Sequence, residues 1–260
     1  MEFEDLLTLV DRRYEYLVRL ARSPAYKRDL VEELDDSRST VDRAMKELTA
    51  AGLLERGSDG QYGTSHAGDV LRRTVDETRE TVATIDEVNS VLSHLPTDAA
   101  LPPALFRGAA VHSATGPAPM EAIQHATSVL VDADTIRGLS VADHESKAIR
   151  DLHERSVVAG ELDAEVVFTR PMTDRLFSAY PDLTAQAEES DSVRLYTIDE
   201  LPFGLFIAER NGTERVLFGI YDENQLVQAI VENDSPDAVA WANQVFEQYR
   251  DAADDLFSAQ

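Results

Sequence analysis

The sequence predicts a two-part chain of α+β / α/β class: a small N-terminal unit of three helices and a hairpin, a long joining helix, and a larger domain on a mixed sheet. Three observations predict it. Apolar residues recur at helical spacing from Phe3 to Leu95, interrupted by one glycine-rich turn, Gly57-Ser58-Asp59-Gly60, between two short β-type runs. Beyond Ala109 strand-like and helical runs alternate, and the last strand-like runs follow one another directly, which implies a parallel part and an antiparallel part. Finally, 260 residues at 43% hydrophobic content are enough for about two globular domains, each with its own core.

The elements follow in order. Phe3, Leu6, Leu7, Val10, Tyr14, Leu17, Val18 and Ala21 predict a first helix that Ser23-Pro24 ends. Tyr26 to Leu34 forms a second, with Leu30, Val31 and Leu34 inward, and Asp35-Asp36-Ser37 is a polar turn suited to cap the next. The third helix, Arg38 to Ala51, places Val41, Ala44, Met45 and Leu48 on one stripe, and Gly52 stops it. Leu53 to Arg56 and Gln61 to Thr64 are the strands of a hairpin. Three helices and such a hairpin are the winged helix-turn-helix order, expected over residues 1–68.

Residues 69–98 are expected to be a linker and dimerisation helix, because Leu71, Val75, Thr78, Val82, Ile85, Asn89 and Leu92 alternate steps of four and three. The alternative is that this seam packs within its own chain. Pro96 to Pro103 is the joint to an α/β domain over residues 99–260. There the expected strands are Ala109–Ala114, Thr135–Leu139, Glu165–Thr169, Val193–Ile198, Leu205–Glu209, Arg215–Tyr221 and Leu226–Val231. Helices are expected near Glu121–Ser128, His144–Ala159 and Thr173–Ala187, and a last one opens at Ser235-Pro236 and carries Trp241 and Phe246.

Charge narrows the function. The chain carries 49 acidic against 24 basic side chains, net −25, and only Lys27, Lys46 and Lys147 are lysine. Such a surface suits a cytoplasm of very high salt, where self-repulsion is screened over a few ångströms. The first 75 residues hold half of the basic side chains but under a third of the acidic ones, which points to an anionic partner at this end. Zero cysteines exclude disulfides, thiolate zinc sites and a thiol nucleophile. No signal segment or membrane span is visible, so the protein is expected in the cytoplasm, with no membrane partner.

The third helix buries one side and offers Ser39, Arg43 and Lys46 on the other, with Ser37, Arg38 and Thr40 near its start. Arginine can pair bidentately with guanine, hydroxyls read base or phosphate, and lysine serves phosphate, so this face is the expected reader of double-stranded DNA. Tyr26, Lys27 and Arg28 open the second helix, where phosphate contact is natural, and Arg56, Gln61 and Tyr62 belong to the wing. The competing reading is a protein-interaction adaptor whose charges are merely solvated.

The run from Tyr26 to Leu34, the run from Ser37 to Leu48 and Ala51-Gly-Leu-Leu-Glu-Arg56 resemble archaeal winged-helix transcription factors. Leu201-Pro-Phe-Gly-Leu-Phe-Ile207, Phe218-Gly-Ile-Tyr-Asp222 and the Trp241 helix resemble the effector domain of archaeal TrmB-like and methanogenesis-regulator-like proteins. The resemblance implies a phospholipase-D-like α/β fold recruited for sensing, with sugars or related metabolites as ligands. A phospholipase-D site needs His and Lys separated by one residue, whereas His144 and Lys147 are separated by two, so no catalytic residue is expected and a degenerate hydrolase is a third reading.

Ligands of α/β sheets sit past the carboxyl ends of parallel strands, which singles out Ser140, His144, Thr169 and Arg170, with Arg137 inside its strand and Phe203 either as a rim or as part of an apolar turn entering a buried strand. Arg137 and Arg170 are expected either to converge on an anionic metabolite such as a sugar phosphate or to pair with local carboxylates. No cofactor and no metal is expected, since the six histidines are scattered along the chain. The sum is a homodimeric, metabolite-responsive DNA-binding regulator.

Overall fold

Helical spacing at the N-terminus resolves into two helices rather than one. In the computed structural model α1 (Phe3–Arg12) and α2 (Tyr14–Arg22) part at Arg13. The Arg13 side chain, 8% exposed, turns inward and places Nη2 2.9 Å from Glu47. Periodicity cannot register this break, because the carboxylate that requires it comes from a distant part of the chain. The structure describes residues 3–97, 99–115, 119–141, 151–152 and 154–257. They form two units, 1–79 and 80–260, parting within one helix.

In the first unit α3 (Lys27–Glu33) starts where the Tyr26 N–H donates to Asp29 Oδ2 at 3.0 Å. The helix α4 (Arg38–Ala50) starts at Ser37, whose hydroxyl accepts from the Thr40 N–H at 3.1 Å. It ends at Gly52, where φ is +74° and the next amide, Leu53 N–H, returns to Leu48 O at 2.9 Å. Val41, Ala44, Met45 and Leu48 are fully buried against Leu17, Leu20 and Leu30. The wing is the antiparallel pair β1 (Leu54–Arg56) and β2 (Tyr62–Thr64). It is pinned to the start of α3 by the mutual Ala25 and Tyr62 backbone bonds at 2.9 and 2.8 Å. The helices α2, α3 and α4 with this hairpin make a winged helix-turn-helix, and α1 precedes them.

The long helix α5 (His66–Leu92) follows. Leu71 and Val75 pack on the core of the first unit, whereas Ile85 and Leu92 pack on the core of the second. The seam expected to pair across a dimer is therefore largely used inside the chain, and Thr78, Val82 and Asn89 are its exposed positions.

The second unit carries a short α6 (Pro103–Phe106), β3 (Ala110–Ser113), α7 (Pro119–Val131), β4 (Thr135–Ser140), a π-helical turn at Glu154–Val158 and β5 (Asp163–Thr169). Then come α8 (Arg170–Ala179), α9 (Pro181–Glu188), β6 (Val193–Ile198), β7 (Gly204–Arg210), β8 (Thr213–Tyr221), β9 (Val227–Asn233), α10 (Pro236–Ala252) and β10 (Asp254–Asp255). The strands form one 8-stranded sheet in the order β10-β6-β5-β4-β7-β8-β9-β3, parallel across β4, β5 and β6 and antiparallel elsewhere.

Alternation along the strands gives the sheet two apolar faces. Leu139, Val167, Leu205, Ile207, Val216 and Phe218 face α10 and its Ala242 and Phe246. The other face meets α7 on one side and, through the long core residues of β5 and β6, α8 and α9 on the other. The single helix expected over Thr173–Ala187 is two, since Pro181 has no N–H to continue the ladder and constrains Tyr180 before it. Half of the expected helix His144–Ala159 lies outside the described residues, His144 and Lys147 with it.

Candidate nucleic-acid interface and ligand cavity

On α4 the side opposite the buried stripe presents Ser39, Arg43 and Lys46 to solvent, with Arg38 beside them. Arg43 is 71% exposed at its side chain and bonds Glu47 one turn on, Nε to Oε1 2.9 Å. Lys46 makes no ion pair among the described residues. Glu47 sits between this face and the interior: Arg12 reaches its other oxygen at 3.0 Å and Arg13 at 2.9 Å. Burial pushes the Glu47 carboxyl up, but Arg43, Arg13 and Arg12 outweigh it and hold it below its ordinary range. One carboxylate thus fixes the roll of α4 against α1 and keeps the Arg43 guanidinium preoriented. Arg12, Arg13 and Glu47 are positioning residues that the sequence reading passed over, because their contacts are not local.

Ser37 and Thr40 serve the helix start, their hydroxyls 2.8 Å apart and that of Ser39 2.9 Å from Ser37. Around the wing Tyr62 gathers two cations: Lys27 Nζ lies 5.7 Å and the Arg56 guanidinium carbon 5.6 Å from its ring centroid. Arg28 lies 4.9 Å from the ring of Tyr26, and Lys27 also bonds Asp42 on α4 at 2.7 Å. The wing turn is closed by Gly57 N–H to Gln61 O at 2.8 Å and Gln61 N–H to Asp59 Oδ1 at 3.1 Å. Tyr26, Lys27, Arg28, Arg56 and Tyr62 therefore form one aromatic and cationic patch, with Gln61 at its edge. Asp42 and Glu47 neutralise part of the cationic face in the free protein.

The effector positions come apart. Arg137 shares the α10 face of the sheet with Leu139 and is bonded by Glu214 on β8, two strands along. Arg170 is half exposed, with Nε 2.9 Å from Asp199 and Nη2 3.1 Å from Asp254, and these carboxylates raise its pKa. Of the two expectations for Arg137 and Arg170, the structure shows pairing with local carboxylates and not convergence on an anion: strand alternation sends Arg137 to one face, and Arg170 is drawn out to the sheet edge by two aspartates. Phe203 is no rim either. It is buried against Phe218 and Trp241, with ring centroids 5.0 and 6.3 Å away, because an apolar turn entering a central strand packs under α10. Thr169 is buried and its carbonyl accepts from the Thr173 hydroxyl at 3.2 Å. Of the expected positions among the described residues, only Ser140 opens onto a cavity, one of about 260 Å³ between the sheet and α7, α8 and α9, and His144 lies outside the described residues.

Two histidines that are distant in sequence do meet. His112 on β3 and His125 on α7 stack with centroids 4.0 Å apart, and both reach Glu232 on β9, His112 Nε2 at 3.1 Å. Arg215 holds the second carboxylate oxygen at 3.0 Å. Burial pushes the Glu232 carboxyl up, and His125, Arg215 and His112 reverse this and hold it below its ordinary range. Two imidazole nitrogens and one carboxylate are a ligand set for a divalent transition metal, so His112, His125 and Glu232 are the residues that could hold one. Only the sheet pairing of β3 with β9 reveals them.

Residues 119–252 match the family model described as methanogenesis regulatory protein FilR1, middle domain, and residues 2–87 match the HVO_A0261 N-terminal domain. The first match covers more than half of the chain, which therefore belongs to the FilR1 middle-domain family of regulatory proteins. TrmBL2, an archaeal chromatin protein reported to show a novel mode of DNA binding, is similar at 15% identity over 94% of this chain and 92% of its own, with a TM-score of 0.43. NucT from Helicobacter pylori is 8% identical over 57% of this chain and 98% of its own, TM-score 0.44. The phospholipase D family member Nuc from Salmonella typhimurium is 15% identical over 58% and 99%, TM-score 0.41. These likenesses are distant, and the family models carry the assignment. No curated protein matches the chain. Among the described residues, no helix is long and apolar enough to cross a membrane.

Proposed function

We propose that the chain is a sequence-specific DNA-binding transcriptional regulator, homodimeric, whose second domain answers to a small metabolite. In this reading residues 1–68 bind DNA, 69–98 link and dimerise, and 99–260 bind the effector. The observation that carries it is α4: four apolar residues buried on one stripe, with Ser39, Arg43 and Lys46 exposed on the other. Such a helix enters the major groove while Arg56 and Tyr62 in the wing, with Lys27 and Arg28, track the phosphates. Ser37, Arg38, Thr40, Gln61 and Tyr26 complete the contact surface.

Asp42 and Glu47 give this surface a particular electrostatics. On binding, a phosphate competes with Asp42 for Lys27, and a guanine edge competes with Glu47 for Arg43. Cation uptake by the released carboxylates then offsets counterion loss, so that affinity falls with salt less steeply than the number of phosphate contacts implies. The second domain works without catalysis in this reading: the spacing of His144 and Lys147 does not match a phospholipase-D site. An effector acts by binding one arrangement of the dimer better than another, since equal affinity shifts nothing.

Genome occupancy mapped with and without candidate nutrients tests the proposal. Discrete sites upstream of genes, changing with one nutrient, are expected. Occupancy no different from a chain lacking residues 1–68 overturns it in favour of the adaptor reading.

A further inference from the structure

The cavity on the α7 side of the sheet in the second unit has no part in the face that reads DNA. We propose that it binds an uncharged, largely apolar small molecule of roughly a dozen non-hydrogen atoms, and that this molecule, not a sugar phosphate, is the effector. The word effector rests on the regulator reading above; the cavity and its chemistry do not.

Its walls decide the ligand class. Among the described lining residues there is no Asp, Glu, Lys, Arg or His. A phosphate or carboxylate placed there would lose its hydration with no cation among the described lining residues to replace it. Three of the hydroxyls that line it are spent on backbone carbonyls: Ser156 donates to Leu152 O at 2.8 Å, Thr173 to Thr169 O at 3.2 Å and Thr184 to Tyr180 O at 3.0 Å. Ser140, whose Oγ is 3.7 Å from Met172 Sδ, stands at the end of β4 as a polar mark on an apolar wall.

The floor is aromatic and flat, and the glycines of two motifs make it so. Gly204 and Gly219 are paired directly across β7 and β8. A Cβ on either would come within 2.7 Å of the Tyr221 ring, so their hydrogens let that ring lie on the sheet. Gly138 on β4 gives Phe206 the same seat. Glycine inside a strand costs stability and marks a close approach. Here it sets Tyr221 and Phe206 as a platform, with Phe168 on the same face of the sheet and Phe177 and Tyr180 lining the cavity from α8 and its end. Burial pushes the Tyr221 hydroxyl pKa up, so the platform is neutral at any physiological pH. An apolar void of about 260 Å³ costs a fold stability when empty, and an apolar guest recovers it.

The test titrates the full chain in concentrated KCl with phenylnaphthylamine, an uncharged probe that fluoresces in apolar surroundings. One saturable site is expected, from which naphthalene or a medium-chain alcohol displaces the probe and a hexose phosphate does not. Ala126→Phe on α7 and Ala164→Phe on β5 each fill the cavity from opposite walls; either, if its melting transition is retained, lowers probe affinity at least about tenfold. The absence of a saturable site, displacement by hexose phosphate, or unchanged affinity in a folded filling variant overturns the proposal. DNA binding measured on the same protein separates the two claims. Probe binding without DNA binding supports the site and removes only the regulatory role given to it.

Discussion

Ser37, Arg43 and Lys46 show how differently three neighbours on one helix can act. Ser37→Ala removes the hydroxyl that accepts from Thr40 N–H, and is expected to lower stability by about 0.5–2 kcal/mol, read from chemical denaturation. Lys46→Ala is expected to leave stability unchanged, since Lys46 has no ion-pair partner among the described residues, and to weaken DNA binding alike for all sequences. Glu232 has a pH signature. Its carboxyl is held below the ordinary value of 4.5, so the unfolded chain takes up the proton first. Its stabilisation is complete above that ordinary value and is lost as pH falls through the lower folded value. Melting temperature is therefore expected to fall less on acidification in Glu232→Gln than in the unaltered protein; equal slopes contradict the assignment. The stripe of α4 and the cap at Ser37 were legible in sequence because both are local. Glu47, Arg13 and the meeting of His112 with His125 were not, since long-range chain pairing creates them.

At the scale of elements, glycines are the most specific predictors of failure. A Cβ on Gly68 would run into the carbonyl of Leu53, so the start of α5 lies directly on the strand entering the wing. Gly68→Ala is expected to destabilise the first unit by about 1–3 kcal/mol and leave the second intact, visible as a lowered first transition in calorimetry. A single unshifted transition contradicts it. Strand positions in the second unit could be read from period-two alternation and turn residues, and parallel pairing of β4, β5 and β6 from the helices between them. The α1–α2 break at Arg13 was hidden for want of its partner. The α8–α9 break is marked in the sequence by Pro181 itself, which lacks the N–H that would continue the ladder. The two-residue β10 is too short to carry any pattern. Strand alternation also placed Arg137 on the face away from the cavity, a consequence available in sequence once Leu139 is taken as facing α10.

For the whole molecule the net charge of −25 is the dominant fact. Screening shortens from about 10 Å at 0.1 M salt to about 3 Å at 1 M, so the melting temperature is expected to rise over that range. A flat profile removes the argument from solvent. The chain divides into two units at 79/80, inside α5, rather than at the joint expected near Pro96 to Pro103, and of the two sequence readings of Arg137 and Arg170, an anion site or pairing with local carboxylates, the assembled sheet shows pairing. What remains central is that α4 reads DNA. Fluorescence anisotropy of a labelled duplex carrying a site recovered from the genome, titrated with the unaltered protein and with Arg43→Ala at equal folded fraction, tests this most directly. The account predicts saturable binding that the variant weakens by roughly ten- to hundredfold, with relaxed preference at one base pair. Equal affinity of the two proteins for that duplex, or no binding by either, contradicts it.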